Sequence, residues 1–278
     1  MKQPVLAGRP LDLSRPLVAG ILNVTPDSFY DGGKYLSEKK VIGRIRQMAE
    51  EGADLIDVGA CSTRPGAAFV DAREELARLE AAVELIRKYY PQLPVSIDTF
   101  RADVAREINN CLGPVIINDI SGGTLDERMF ETVAEAGVPY VLMHIQGTPQ
   151  TMQQQPLYAD VVGEVRRFFT ERIARLNALG FDNILLDPGF GFGKTEEHNY
   201  TLMDGMHTFL ELGYPLFVGV SRKTMIWKLL GTNPEGALNG TTVLNTLSLL
   251  KGAAVLRVHD VKEAVETVKL VGQLKSRF

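Results

Sequence analysis

The side chains best able to do chemistry in this chain recur directly after short apolar runs. Eight such runs occur, and nearly every one ends in a polar or charged residue. The runs and the residues that follow are 18–22 before Asn23, 55–58 before Ser62-Thr63-Arg64, 95–97 before Asp98, 115–117 before Asn118-Asp119, 140–143 before His144, 184–186 before Asp187, 216–220 before Ser221-Arg222-Lys223, and 255–256 before Arg257-Val258-His259. Short β-branched runs are typical of buried parallel strands, whose carboxyl ends share one active-site face. The pattern indicates an enzyme.

Two aspartates and one asparagine could hold a polar ring at that face. Asp98 and Asp187 follow different strands, and two carboxylates in one pocket can accept hydrogen bonds from a heterocycle or stabilise a developing cation. Asn118 adds a donor and an acceptor. The alternative is that each aspartate only caps the following helix and that the asparagine only forms a turn. Two aspartates at corresponding positions favour the functional interpretation.

Four further residues could donate to a substrate at this face, and three of them are candidates for binding an anion. Lys223 lies just past strand 7 as a mobile charge; a solvated lysine is the alternative, although helix N-termini disfavour cations. Arg257 and His259 alternate after strand 8, where barrels commonly bind phosphate. Arg64, after strand 2, is the third candidate, and each of these residues by itself is more often structural. Asn23 could give Mg²⁺ a neutral oxygen ligand beside phosphate and water.

The segments between the apolar runs have apolar residues at intervals of three and four, the helical period. They are 39–51, 73–90, 102–108, 128–136, 161–178, 196–212, 238–250 and 261–274. Eight strand-then-helix units in series predict a single (β/α)8 TIM barrel, and an open doubly wound sheet is the alternative. The long loops after strands 1 and 2, 25–35 and 60–72, are expected to be mobile lids.

Composition limits the class of partner. The 278 residues, 45% hydrophobic and 23% charged, suit one large α/β domain. A net charge of −4 gives no long-range attraction for nucleic acid or anionic lipid, so an anionic substrate needs local positive groups. We expect no signal segment and no membrane span, because no apolar run approaches ~20 residues. With Cys61 and Cys111 far apart, we expect a reduced, cytoplasmic protein.

Two further motifs carry little weight at this point. The four histidines have no zinc-type spacing, and the segment 189–195 (GFGFGKT) resembles a phosphate loop only loosely, so we discount it. The residues alone therefore predict a cavity with two carboxylates, an amide and a lysine on one wall and an anion site on the other. Such a cavity suits a polar heterocycle joined to a phosphate or pyrophosphate.

The strand ends also carry eight short motifs at barrel-compatible spacing. They are 20–29 (GILNVTPDSF) with 31–33 (DGG), 52–59 (GADLIDVG) with 62–66 (STRPG), Asp98-Thr99, 118–123 (NDISGG), Met143-His144 with 147–149 (GTP), 186–189 (LDPG), 219–223 (GVSRK) and 257–260 (RVHD). Each is weak alone, and eight in this order are highly specific. From about Gly20 to Gln273, the chain resembles the dihydropteroate synthase family of pterin-binding enzymes.

The resemblance implies an activity. Members condense 6-hydroxymethyl-7,8-dihydropterin pyrophosphate with 4-aminobenzoate, which gives 7,8-dihydropteroate and pyrophosphate in folate biosynthesis. Pyrophosphate would leave first, and the amine would attack the resulting pterin cation while closed loops exclude water. The resemblance also implies Mg²⁺ as cofactor, sulfonamides as inhibitors and a homodimer formed through helices late in the chain.

Residue roles are carried over from the same resemblance. The residues expected to bind the pterin are Asp98, Asn118, Asp187 and Lys223. Those expected to be catalytic are Asp98, Asp187, Lys223 and Arg64. The pyrophosphate would contact Asn23, Arg64, Arg257, Val258 and His259, with Asn23 also a ligand of Mg²⁺. The aminobenzoate slot would be shaped by Thr63, Phe29, Pro65 and Ser221.

One departure and two alternatives accompany the resemblance. Ala60-Cys61 stands where many members carry Gly-Glu, which could alter how the second loop is held. We expect one domain over 1–278, with residues 1–16 as an N-terminal extension that packs on the barrel. A methyltetrahydrofolate-dependent methyltransferase needs no pyrophosphate site, and a non-catalytic pterin-binding paralogue would have lost Arg64, Lys223 or an aspartate. The presence of these residues disfavours both alternatives.

Overall fold

Eight parallel strands close into a barrel in the computed structural model of the chain, which describes residues 2–24, 34–60, 70–148, 151–152 and 156–274. The strands are β1 (Leu17–Asn23), β2 (Leu55–Gly59), β3 (Val95–Asp98), β4 (Ile116–Asp119), β5 (Tyr140–Met143), β6 (Ile184–Asp187), β7 (Leu216–Val218) and β8 (Ala253–Val258). Each strand pairs with the next, and β8 pairs with β1 to close the ring. The predicted (β/α)8 barrel is confirmed, and the open sheet is wrong.

Helices follow the strands and cover the outside of the barrel. They are α1 (Lys34–Glu51), α2 (Ala72–Tyr89), α3 (Ala102–Leu112), α4 (Met129–Ala136), α5 (Val161–Ala178), α6 (Glu196–Gly205), α7 (Thr224–Trp227), α8 (Leu238–Leu250) and α9 (Val261–Gly272). The helix predicted over 196–212 changes to a 3-10 helix at Met206–Leu212. Gly205 lies at this change, where a Cβ atom would stand 2.7 Å from Val162, so α5 is packed very closely here. The four residues of α7 are too few to show a helical period.

Side chains alternate along each strand, and this alternation divides the core into two layers. The outward side chains, such as Ile56 and Val58, are buried beneath the helices. The inward ones form an apolar plug of Leu17, Ala19, Leu55, Ile116, Val141, Leu185, Phe217 and Val255. An antiparallel hairpin, Val5–Leu6 with Arg9–Pro10, precedes β1, and Leu6, Leu11 and Leu13 pack against the plug from below. The amino-terminal end of the barrel is therefore filled with side chains.

Polar residues replace apolar ones one step further along the inward face. Leu55 is followed two residues later by Asp57, Ile116 by Asn118, and Leu185 by Asp187. Because side chains two residues apart share a face of a strand, these polar groups stand directly above the apolar plug. The plug therefore forms the floor of a polar layer at the carboxyl end of the barrel.

Some predictions concern parts of the chain that the structure does not describe. The first two predicted lids fall largely on 25–33 and 61–69, which lie outside the described residues. One domain over 1–278 stays a prediction. Within the described ranges, no helix is long and apolar enough to cross a membrane.

Candidate active site

Arg257 joins the polar residues of three strands at the centre of the barrel mouth. Its Nε donates a hydrogen bond to Oδ2 of Asp57 at 2.6 Å, and its Nη2 donates to Oδ2 of Asp98 at 3.2 Å. Nδ2 of Asn118 lies 3.3 Å from each carboxylate oxygen of Asp57. Strand pairing explains the convergence, since Asp98 is in register with Asn118 on the neighbouring strand. The predicted pterin and pyrophosphate residues thus meet in one network.

Asp57 is the site residue that sequence reasoning missed. It is fully buried, and it accepts hydrogen bonds from both Arg257 and Asn118. The segment 55–58 matches an apolar run in all but this one acidic residue. An isolated carboxylate inside a buried strand was the available signal, because a buried charge needs a partner. Here the partner is Arg257, two hundred residues away along the chain.

The prediction that acidic and basic side chains lie on opposite walls is wrong for Asp98 and Arg257. Arg257, assigned to the anion side, donates directly to Asp98, assigned to the pterin side. Burial raises the pKa of Asp98 to about 7, and the Arg257 guanidinium opposes this increase. The charge of Asp57 adds to the increase. Asp98 is therefore a carboxyl group that titrates near neutral pH.

Asp187 and Lys223 form a second centre in the mouth. Oδ1 of Asp187 accepts a hydrogen bond from the backbone N–H of Gly189 at 2.8 Å. Burial raises the pKa of Asp187, and the charge of Lys223 opposes this effect. The Lys223 ammonium donates to the Phe190 carbonyl and lies 4.7 Å from the centroid of the Phe192 ring. Burial lowers the pKa of Lys223 to about 8, so it is mostly a cation at neutral pH.

The helix-cap alternative for the two aspartates is wrong. The residue at the start of α3 is Arg101, not Asp98, and α6 is capped by Thr195, whose side chain accepts from the N–H of His198. Asp187 does bond a backbone N–H, but within the turn that leaves β6. Both carboxyl groups are held by the barrel mouth itself.

His259 is fixed by Ser221. The Ser221 hydroxyl accepts a hydrogen bond from the backbone N–H of His259 at 3.1 Å, and its oxygen lies 3.0 Å from Nδ1 of the same residue. Burial, followed by the charge of Arg257, lowers the pKa of His259 to about 4. The imidazole is therefore neutral, and in the tautomer in which Nδ1 accepts from Ser221 its Nε2–H is a donor. The side chain of Val258 is fully buried on the opposite side of the strand, so only its backbone could meet an anion.

Asn118 offers a buried acceptor that needs a donor. Its Nδ2 is directed at Asp57, while its Oδ1 is buried and has no hydrogen-bond partner within the described part of the chain. An unpaired buried carbonyl costs about 1–3 kcal/mol, so such groups are normally satisfied by a ligand, water or another residue. A ligand N–H placed above the apolar plug would satisfy it.

A cavity of about 880 Å³ opens beside this layer, on the side of Lys223. Its walls include the rings of Phe190 and Phe192, together with Met225 and His259. The basic residues of its walls, Lys194, Arg222, Lys223 and Lys228, outnumber the acidic ones, Glu196 and Glu235, and with the aromatic rings they suit a small aromatic anion. The cavity adjoins the pterin-facing residues through Lys223, which lines both.

The surroundings of Asn23 are compatible with its predicted role as a ligand for Mg²⁺. It lies exposed at the end of β1, and its Oδ1 would be 3.3 Å from a Cβ atom on Gly59, with Asp98 Oδ2 3.8 Å from the same point. The absence of a side chain at Gly59 therefore leaves space between two oxygen groups. Among the described residues no group of three His, Cys, Asp or Glu could hold a metal. A cation that keeps waters and binds phosphate oxygens, as Mg²⁺ does, fits this sparse donor set.

Four predicted site residues cannot be placed. Arg64, Thr63, Pro65 and Phe29 lie outside the described residues, as does Cys61. Their roles in pyrophosphate and aminobenzoate binding therefore stay predictions. The other predicted residues, Asn23, Asp98, Asn118, Asp187, Ser221, Lys223, Arg257, Val258 and His259, all lie at or beside the carboxyl end of the barrel.

Comparisons with known proteins agree with this geometry. Residues 19–259 match the family of pterin binding enzymes. Dihydropteroate synthase of Escherichia coli K12 is 46% identical over 266 residues, which cover 95% of this chain and 93% of that protein. The dihydropteroate synthase of Yersinia pestis, solved with a sulfonamide drug complex, has a TM-score of 0.90 and 42% identity over 99% of this chain and 100% of that one. The enzyme of Xanthomonas albilineans, solved with 4-aminobenzoic acid, has a TM-score of 0.88 and 40% identity over 99% of each chain. The chain belongs to the dihydropteroate synthases of the pterin-binding enzyme family.

Proposed function

We propose that the chain condenses 6-hydroxymethyl-7,8-dihydropterin pyrophosphate with 4-aminobenzoate, which yields 7,8-dihydropteroate and pyrophosphate. The structural observation that carries this proposal is Asn118 Oδ1, a buried acceptor without a described donor, in the same barrel mouth as the carboxyl groups of Asp98, 13% exposed, and Asp187, 4% exposed. A pterin edge presents several N–H donors in one plane. Such an edge would satisfy all three acceptors above the apolar plug.

Asp98 and Asp187 have a further role when the bond to pyrophosphate breaks. The dihydropterin methylene then acquires positive charge that spreads into the ring. A carboxylate in a buried site stabilises such charge far better than water does, because the site is already oriented and has a low dielectric constant. Lys223 is held by the Phe190 carbonyl, feels the charge of Asp187 and can donate a hydrogen bond to the ring.

The pyrophosphate end is assigned to Arg257 and the Nε2–H of His259. Arg257 already uses Nε and Nη2 on carboxylates, so the anion shares a guanidinium that also orients the pterin side. Asn23 would hold Mg²⁺ together with pyrophosphate oxygens, and the ion supplies charge neutralisation of the leaving group. Arg64 would add a second guanidinium.

The 4-aminobenzoate is assigned to the 880 Å³ cavity. Phe190 and Phe192 flank Lys223 and can cover an aromatic ring, while Ser221 borders the slot beside His259. The solved relative with 4-aminobenzoic acid and the one with a sulfonamide drug support an aromatic amine as second substrate. The amine must meet the methylene carbon between this cavity and the polar layer.

Turnover tests the proposal directly. We expect the purified chain to form dihydropteroate, measured by liquid chromatography with mass detection, only when both substrates and Mg²⁺ are present. A sulfonamide should compete with 4-aminobenzoate and not with the pterin substrate. Isothermal titration should show that Asn118→Leu weakens binding of the pterin substrate. Binding of the pterin without product formation would contradict the proposal and favour a non-catalytic pterin-binding protein.

We also propose that the protein is a homodimer through α8 and α9. These helices pack side by side, and both expose large apolar side chains: Val243, Leu247, Leu250 and Leu270. Leu270 is 72% exposed, and a group of neighbouring exposed apolar side chains of this kind is typical of a protein–protein interface. Light scattering should give twice the chain mass for the native protein and the chain mass for Leu270→Glu. Leu179→Glu, an exposed leucine at the end of α5, is the matched control and should stay dimeric. The predicted cytoplasmic location stays a prediction.

A further inference from the structure

Lys194, in the glycine-rich segment that follows β6, is buried at the back of the site. Its side chain is 3% exposed, although lysine is almost never buried without partners. Nζ lies 2.9 Å from the Gly189 carbonyl oxygen, 3.1 Å from that of Phe192 and 2.9 Å from Nδ1 of His144. Three acceptors match the three N–H bonds of an ammonium group. Burial lowers the pKa of Lys194, and the charge of Asp187 opposes this effect.

The His144 side of the contact is equally enclosed. Its ring lies edge-on to Phe168 at 4.8 Å, and burial keeps its pKa well below the usual value. A neutral imidazole that accepts on Nδ1 carries its proton on Nε2. The backbone N–H of His144 donates to the Asp187 carbonyl at 3.0 Å. His144 therefore contacts both Lys194 and the residue that enters the active site.

One residue, Gly189, connects Lys194 to the Asp187 carboxylate through its two flanking peptide groups. The N–H of Gly189 donates to Asp187 Oδ1 at 2.8 Å, while the carbonyl of Gly189 accepts from Lys194. Donation on one side and acceptance on the other fix the orientation of this turn. A Cβ atom at residue 189 would lie 1.8 Å from the His144 carbonyl, and φ there is +69°, so only glycine allows this approach.

The same segment also positions Lys223. The carbonyl of Phe190, one residue after Gly189, accepts the hydrogen bond from Lys223. Lys194 therefore holds the turn that orients both members of the Asp187–Lys223 centre. Lys194 borders the 880 Å³ cavity on the far side of this turn, and it is assigned no contact with the pterin.

We propose that Lys194 and His144 form a buried positioning pair that holds the Asp187 carboxylate in the orientation that the pterin requires. This inference rests on the proposed function, in which Asp187 accepts hydrogen bonds from the pterin. The pair acts through Asp187, so its contribution to pterin binding disappears when Asp187 can no longer act. A pair that only stabilised the fold would not depend on Asp187 in this way.

A double-mutant cycle on the full chain tests the dependence. Binding of 6-hydroxymethyl-7,8-dihydropterin is measured by isothermal titration for Lys194→Met, Asp187→Asn and the double variant. We expect Lys194→Met to weaken binding roughly tenfold, because it removes the hydrogen bonds that hold the turn carrying Asp187. In the Asp187→Asn background the same change should cost less than about twofold. Lys251→Met, which removes a lysine bonded to Asp204 before β8, should leave binding unchanged.

The possible failures differ from one another. Equal losses from Lys194→Met with and without Asp187→Asn would overturn this inference and leave the proposed function intact. Undiminished pterin binding in Asp187→Asn would overturn the assigned role of Asp187 and this inference together. Should Lys194→Met not fold, His144 supplies the test. His144→Asn keeps a polar atom near the Nδ1 position and should retain pterin affinity, whereas His144→Leu should weaken it. Equal affinities in these two folded variants would also overturn the inference.

Discussion

The pKa of Asp98 sets a pH dependence that can be worked out from the barrel mouth. Burial raises this pKa from 3.8 to about 7, a difference that corresponds to about 4 kcal/mol against the carboxylate form. The side chain is 13% exposed, so little solvent screens it. If the carboxylate stabilises the pterin cation, activity requires the ionised form. We therefore expect kcat/KM for the pterin substrate to fall about tenfold per pH unit well below pH 7.

Lys223 should add a second, basic limb to the pH profile of kcat/KM. Its pKa is lowered to about 8, so loss of the ammonium reduces activity above that pH. The expected profile is a narrow bell with limbs near 7 and 8, measured as initial rates at low pterin concentration between pH 5.5 and 9.5. Because kcat/KM reports the free enzyme and free substrate, the substrate's own titration must be separated. Asp98→Asn provides the separation, because it removes only the acid limb that belongs to the protein.

Arg257 provides the sharpest check on the cause. Its guanidinium holds the pKa of Asp98 below the value that burial alone would set. In Arg257→Met the acid limb should move to higher pH, whatever the loss in absolute rate. An acid limb that stays in Asp98→Asn, or stays at the same pH in Arg257→Met, would refute the assignment of this limb to Asp98.

Three more predictions use the same residues. The pKa of Asp98 is higher in the folded chain than the unfolded value of 3.8, so folded stability is lost as pH rises from about 4 to 7. Relative to Asp98→Asn, the wild type should lose about 3 kcal/mol of unfolding free energy between pH 5 and pH 8, measured by urea unfolding. A difference that stays constant with pH would contradict the raised pKa. His259→Ala should weaken product inhibition by pyrophosphate roughly tenfold without adding a limb between pH 5 and 8, because His259 titrates near 4; unchanged inhibition would remove it from the anion site. Asp187→Asn should reduce kcat more than it weakens pyrophosphate binding, and equal losses in the two measurements would argue against stabilisation of a cation.

The barrel could be predicted because each of its units repeats the same local pattern. A short buried strand, a polar end and an amphipathic helix occur eight times, and closure follows from the number of units. Boundaries shifted where local rules were weak: the helix predicted from Glu196 loses its α-helical form at Gly205, against α5. Periodicity does not report such close packing between distant segments.

Most residues of the site could be predicted from the sequence, but the hydrogen bonds that join them could not. Asp98, Asn118 and Asp187 stand at strand ends, and strand ends are visible in the sequence. The hydrogen bonds from Arg257 to Asp57 and Asp98 depend on side-chain length and on register across the barrel, which no local pattern encodes. The role of Lys194 could not be predicted, because its glycine-rich segment resembles a phosphate loop only loosely. The hydrogen bond from Lys194 to the Gly189 carbonyl becomes visible only in the folded turn.

The apolar plug has a consequence for the order of events. Among the described residues, Leu11, Leu17 and their neighbours fill the lower end of the barrel, so we expect substrates to enter the polar layer from the carboxyl end. Whatever occupies the deepest position, next to Asp57 and Asn118, has to arrive before anything that sits above it. We therefore expect ordered kinetics in which the pterin substrate binds first. Excess 4-aminobenzoate should slow the binding of the pterin substrate.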